Sequence, residues 1–356
     1  MSANRKGGEH RLRAAVIGLG VGEQHIHGYR SHPACDVVAI CDSNPDKLRE
    51  VAARHPGIGT SIDADAILRD PGIDVVSIAS FDDAHHPQIR QALLAGKHVF
   101  AEKPLCLHAE EMEDIAGLLS ANPALHLSSN LILRRSPRFQ DLRNRILTGT
   151  FGELFLLEGD YNYGRVEKLT AGWRGRIPFY SVTHGGALHL IDLILWLSGR
   201  RPVEVFAYGS RAATAGTAFR HADTMVGLLR FDDSLVAKIS ANFGCVFPHH
   251  HNLAIYGTEA TFVNQREGAL LYVDRNPNTP PQTIDTPYPG IGKGDLIPGF
   301  IDGILSGADG ELPAAEVLAG MAVSLALERS MQEGRPVAPC YPVLPPRRPL
   351  SVPPTR

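Results

Sequence analysis

Cysteine is sparse in this 356-residue chain: five residues, at positions 35, 41, 106, 245 and 340, with no C-x-x-C pair among them. That argues against a disulfide framework and predicts reduced thiols in a cytoplasmic protein. No apolar run is long enough to span a bilayer. The opening "MSANRKGGEHR" lacks the apolar middle of a signal peptide. Charge of one sign is missing too. Lys and Arg number 35 against 38 Asp and Glu, a formal net charge of −3. Neither a nucleic-acid partner nor a membrane surface is therefore expected. There is no internal repeat.

What is present is length and apolar content, 44% of residues, enough for two domains with separate cores. Buried strands are expected at "LRAAVI" (12–17), "CDVVAICD" (35–42), "IDVVSIAS" (73–80), "KHVFAE" (97–102) and "LHLSSN" (125–130). Helical patterns separate them, and strands alternating with helices predict right-handed crossovers and a parallel sheet. After about residue 130 the rhythm changes to strand-like stretches with Gly, Asp or Asn between them, such as "FDDS" (231–234) and "YGTEA" (256–260). These predict an antiparallel sheet. One apolar helix, "GGALHLIDLILWLSG" (185–199), interrupts it, and a late helix at 313–334 can pack back on the first domain. The expected division is a flexible polar lead at 1–10, a parallel α/β domain at 11–130, an α+β domain at 131–340, and a proline-rich tail at 341–356.

The first strand runs into "GLGVGEQH", where Gly18 and Gly20 form G-x-G and Gly22 falls one place short of the usual third glycine. A sharp bend at Gly18, close approach of a pyrophosphate at Gly20 and tight helix–strand packing at Gly22 would make a shortened dinucleotide loop. Asp42 closes the second strand about where a carboxylate must stand to hold both ribose hydroxyls. No Arg follows it directly, which favours NAD over NADP, although Lys47 keeps NADP open.

The stretch "SFDDAHHPQIRQALLAGKHVFAEKPLC" (80–106) resembles the Gfo/Idh/MocA oxidoreductase family. The family writes T-P-N-x-x-H, A-L-x-A-G-K-H-V and E-K-P. Here Ser80, Phe81 and Asp82 replace T-P-N, His85 matches the His, and Glu102-Lys103-Pro104 match fully. The stretches Asp160 to Arg165, "GWRG" (172–175) and "HLIDLILWLSG" (189–199) extend the likeness, as does the end of the late helix. The resemblance implies a Rossmann domain followed by an open, mostly antiparallel sheet whose far face forms a homodimer or homotetramer.

It also implies the site. Lys103 would stabilise a developing alkoxide, and His189 would carry the proton. Gly18, Gly20, Gly22, Asp42, Ser80, His85, Glu102 and Lys103 would hold the cofactor. Tyr161, Tyr163, Arg165, Trp173, Arg174, His184 and Asp192 would join Lys103 and His189 around a sugar or polyol substrate. The family pattern D-x-x-x-H-x-x-D has lost its first Asp to Gly185. Either His184 or Asp192 is expected to substitute, or the proton path differs. "PHHHN" (248–252) invites a metal, but adjacent residues on a strand point to alternating faces, so no metal site is expected. His25 and His27 are expected to cap or solvate the helix start.

The reading is an NAD(P)-dependent enzyme moving a hydride between nicotinamide and a secondary hydroxyl or keto group. The alternatives are an NAD-dependent glycoside hydrolase working by transient oxidation and a non-catalytic NAD-binding regulator. If Asp42 grips the ribose diol, calorimetry will give tighter binding of NAD than of NADP, and Asp42→Ala will weaken NAD. Tighter NADP binding in the unaltered protein would contradict it.

Overall fold

The computed structural model describes residues 11–232 and 234–346. The lead at 1–10, Asp233 in the "FDDS" turn and the tail from 347 lie outside the described residues.

Six parallel strands form the first sheet: β1 (Leu12–Ile17), β2 (Cys35–Cys41), β3 (Gly59–Ser61), β4 (Val75–Ile78), β5 (His98–Ala101) and β6 (Leu127–Ser129). Their order is β3-β2-β1-β4-β5-β6. The helices between them are α1 (Glu23–Arg30), α2 (Pro45–Arg54), α3 (Ala64–Arg69), α4 (Asp82–Leu94) and α5 (Ala109–Ala121). Every residue of β4 is buried, as in a strand covered on both faces. The short strand β3, absent from the sequence reading, has neither a β-branched run nor a buried face, which is why periodicity missed it. Strand order reverses between β1 and β4, so a crevice opens at their carboxyl ends. Gly18, Asp42, Ser80 and Lys103 all fall on that edge.

After α6 (Pro137–Leu147) the chain builds an eight-stranded sheet. Its strands are β7 (Leu154–Asn162), β8 (Glu204–Ser210), β9 (Thr224–Arg230), β10 (Val236–Asn242), β11 (His250–Gly257), β12 (Thr261–Gln265), β13 (Gly268–Tyr272) and β14 (Gln282–Thr283). The order is β14-β13-β12-β11-β7-β10-β9-β8, with only β7 and β10 parallel. Burial alternates along β9 and β10, so one face is covered and the other meets solvent. A single turn, α7 (Glu167–Thr170), and the helices α8 (Leu188–Ser198), α9 (Ile297–Ser306) and α10 (Ala314–Glu333) complete the fold.

Helix α10 is shared between the two cores. Leu318 and Met321 belong to the first, Val323 and Leu327 to the second. Its weak amphipathicity follows from having apolar partners on two sides. The proline-rich end begins as a docked arm: the Tyr341 hydroxyl donates to the Pro202 carbonyl at 2.7 Å.

Arg134, 2% exposed, ties this junction together. It reaches both oxygens of Asp192 on α8, at 2.8 and 2.6 Å, and also pairs with Glu316 on α10. The two carboxylates keep the guanidinium charged despite its burial. Removing one partner of such a pair strands a buried charge. Arg134→Met is expected to cost about 3–5 kcal/mol in urea unfolding, with much of the loss recovered in Arg134→Met/Asp192→Leu. An unchanged midpoint in the single variant would deny the pair this role.

Candidate active site

The glycine turn is built by close approach. Gly18 has φ +84°, and a Cβ there would sit 2.3 Å from the Ala79 carbonyl oxygen. A Cβ at Gly22 would lie 2.1 Å from the Gly18 oxygen and 2.9 Å from Val16. Helix α1 therefore lies hard against β1 even with one residue fewer in the turn. At Gly20 a Cβ would meet nothing within 4 Å, leaving room beside the backbone. Among the described residues no side chain caps α1, whose N-cap is Gly22. The Asp42 carboxylate is aimed by two backbone donors, Leu19 N–H and Asn44 N–H, each at 2.8 Å. An uncapped helix start, an open glycine and a fixed carboxylate suit a dinucleotide's pyrophosphate and ribose.

At the end of β5, Glu102 is buried at 8% exposure. Asn130 Nδ2 donates to it at 2.7 Å, and His25 Nε2 lies 3.5 Å away. Burial opposes its charge, but the His25 hydrogen bond and the Lys293, His25 and Lys103 charges outweigh it, holding the carboxyl well below the usual range. His25 shares its other nitrogen with the Ser77 hydroxyl at 2.7 Å and is fully buried. Contrary to expectation, His25 neither caps nor solvates α1, because it lies on the helix face turned to the sheet.

Lys103 crosses to the second domain and donates to the Gly185 carbonyl at 2.9 Å. Burial pushes its ammonium below the ordinary lysine range, against the pull of Asp82 and Glu102. Gly185 lies in a π-helical turn, Thr183–Ala187, that leads into α8. His189, 5% exposed, follows one turn later, and its Nδ1 has no hydrogen-bond partner among the described residues. Burial lowers its pKa well below the usual value, helped by the charges of Lys103, Lys293 and His251. Its ring stacks near Tyr161 at 6.2 Å, and Tyr161 in turn meets Tyr163, His249 and His251. Trp173 stacks on Phe81 at 4.9 Å, and Arg174 donates to the Tyr180 hydroxyl at 3.0 Å. Arg165 lies over the Tyr163 ring.

Residues 12–128 match the family described as an oxidoreductase family with an NAD-binding Rossmann fold, and residues 139–263 match its C-terminal domain. The chain belongs to the Gfo/Idh/MocA oxidoreductase family. It is similar to myo-inositol 2-dehydrogenase of Thermotoga maritima, with 26% identity over 74% of this chain and 78% of that one. It is similar also to scyllo-inositol 2-dehydrogenase (NAD+) of Bacillus subtilis, with 26% identity over 71% and 73%. A structure of levoglucosan dehydrogenase with NADH and levoglucosan shares the fold at TM-score 0.80 and 22% identity, covering 92% of this chain and 99% of that one. This Gfo/Idh/MocA chain is thus an NAD-binding oxidoreductase.

Several expected site residues take other posts in this oxidoreductase. Asp192 gives both its oxygens to Arg134 and, among the described residues, makes no hydrogen bond to His189. Three helical positions leave the two side chains about 60° apart, and the buried guanidinium claims the carboxylate. His184 turns to α10, where its Nδ1 meets the Ser324 hydroxyl at 2.7 Å. His85 sets one ring nitrogen against the Pro104 carbonyl at 2.6 Å and the other against the Ser80 carbonyl at 3.1 Å, bracing the turn that carries Lys103. The Ser80 hydroxyl donates to Gln88.

Three residues escaped the sequence reading. Asp82, buried at the start of α4, lies near Lys103 and Arg174, and burial raises its pKa. Lys293, from the glycine-flanked "GKG", reaches the same crevice, where its charge bears on Glu102, His189 and His249. Tyr180 fills the space of the missing Asp: a Cβ on Gly185 would lie 2.1 Å from its hydroxyl oxygen. Asp82 could have been found from the altered T-P-N motif; the other two carry no motif. His249 and His251 do share a side, with ring centroids 4.8 Å apart, while His250 faces Tyr288. Among the described residues, no group of three or more His, Cys, Asp or Glu is placed to hold a metal ion.

Open space at Gly20 separates folding from binding. Gly20→Val is expected to abolish NAD binding in calorimetry while keeping a cooperative thermal transition. Unchanged NAD affinity would show that the turn is only a bend.

Proposed function

We propose that this chain is an NAD-dependent dehydrogenase or reductase acting on a secondary hydroxyl or keto group of a sugar, an inositol-like polyol or a sugar derivative. The observation that carries the reading is the meeting of Lys103, from the carboxyl end of β5, with the turn that delivers His189. The inositol and anhydrosugar dehydrogenases among the relatives support the substrate class.

Bound NAD supplies a hydride acceptor at nicotinamide C4. The protein's part is to bind, orient and move a proton. Lys103 hydrogen-bonds the reacting oxygen and stabilises its developing negative charge. His189 is held neutral by burial and nearby cations, so its imidazole can accept the hydroxyl proton. Tyr161, Tyr163 and Trp173 offer aromatic faces to a sugar ring. Gly18, Gly20, Gly22 and Asp42 hold the dinucleotide, with NAD preferred to NADP. Ser80 and His85 shape the edge it lies on, and the charge of Glu102 bears on Lys103.

The solvent-facing side of the second sheet presents Tyr208, Val226, Leu228 and Val236, an apolar surface suited to a homodimer or homotetramer. The five unpaired cysteines fit a reducing, cytoplasmic setting. Among the described residues, no helix is long and apolar enough to cross a membrane.

NADH absorbance across a panel of inositols, sugars and sugar derivatives tests the activity. On the substrate found, His189→Ala and Lys103→Met are each expected to lower turnover roughly a hundredfold or more, with NAD binding nearly intact. Full activity in both variants would mean that the E-K-P turn marks the fold and not the chemistry.

A further inference from the structure

The crevice around the reacting centre has more cations than carboxylates free to meet them. Lys103, Lys293, Arg165 and Arg174 gather there, and the charges of both arginines reach the Tyr161 hydroxyl. Arg174 bonds the Tyr180 hydroxyl and lies over the Trp173 ring at 4.6 Å, with no ion pair among the described residues. Arg165 lies 5.0 Å over the Tyr163 ring, also without an ion pair among the described residues.

The nearby carboxylates are mostly spent. Glu102 is bonded by Asn130, Asp192 is held by Arg134, and Asp160 is turned to Ser240 and Lys238 on the other face of the sheet. Among the described residues Asp82 remains, buried, with burial favouring its neutral form against the pull of His85, Lys103 and Arg174. Where the family motif puts an aspartate, a glycine and the tyrosine hydroxyl stand instead, and Arg174 is the donor to that hydroxyl. The aspartate missing at Gly185 is matched by Asp82, which stands where the family has an asparagine, and the four cations still outnumber Asp82 and Glu102. Arginines stacked on aromatic rings hold planar forks ready for an oxyanion.

We propose that the substrate is a carboxylated sugar, of the uronate or aldonate type, whose carboxylate is clamped by Arg165 and Arg174 across the crevice from Lys103. The proposal rests on the oxidoreductase reading above and names its substrate class. The dinucleotide phosphates have a separate place at the start of α1, and neither arginine hydrogen-bonds that turn.

Calorimetry on the NAD-loaded protein tests it, with D-glucuronate, D-galacturonate and D-gluconate against D-glucose, D-galactose and myo-inositol. At least one acid is expected to bind roughly tenfold or more tighter than its neutral counterpart, more weakly as salt rises. Arg165→Gln and Arg174→Gln should each weaken that acid roughly tenfold to a hundredfold, the scale of a hydrogen bond to a charged group. Arg165 is exposed, so its variant reports without a folding penalty. Neutral sugars binding as well as the acids would overturn the clamp, while NADH formed from them would leave the oxidoreductase reading standing. Acid binding untouched by both variants, or no binding of any acid, would also overturn it. So would loss of NAD affinity in the variants, which would assign the arginines to the cofactor.

Discussion

The hydrogen bond from the Lys103 ammonium to the Gly185 carbonyl is the constraint on which the site depends. One end belongs to the carboxyl edge of the parallel sheet, the other to the turn that starts α8. A lysine at a strand end has many rotamers and would cost side-chain entropy to hold. Here His85 braces its turn from below and the π-helical carbonyl receives it from above. The reacting crevice is therefore made between two domains, and its geometry needs both to be in register.

That register is set by buried polar contacts backed by apolar packing. Helix α10 gives one side to each core, and Arg134 locks it to α8 through Asp192 and Glu316. A second network, Ser77, His25, Glu102 and Asn130, fastens α1 to the ends of β4, β5 and β6. Asn130 also donates to the Lys293 carbonyl at 2.9 Å, bringing the second-domain segment over the first sheet. Buried polar groups left unpaired would be costly, so these networks select one arrangement of the domains.

Gly185 shows how a motif can change without leaving a void. In place of a carboxylate one turn before His189, the chain sets the Tyr180 hydroxyl, held by Arg174. Burial first, then the charges of Lys103, Lys293 and His251, keeps His189 neutral, and burial lowers the proton affinity of Lys103 against the pull of Asp82 and Glu102. A neutral imidazole can take a proton without a carboxylate to orient it, provided packing does the orienting. Tyr161 and His251 pack against its ring.

Much of this was legible in the chain itself. Alternating strands and helices gave a parallel sheet, because a strand covered on both faces reads as a short apolar run. Gly18 announced a sharp bend and Gly22 tight helix–strand packing, both of which glycine allows, and E-K-P marked the lysine. Short elements such as β3 and β14 were not legible, having no period to read. Nor was the fate of Asp192, His184 and His25. Spacing fixes which helix a side chain leaves from, but its partner comes from residues far along the chain: Arg134 is 58 positions from Asp192, and Ser324 is 140 from His184. Tyr180 and Lys293 join the crevice for the same reason. The local sequence determined which residues could bend, pack or ionise; only the tertiary structure decided which charges met, because a buried charge takes the partner that folding brings within reach.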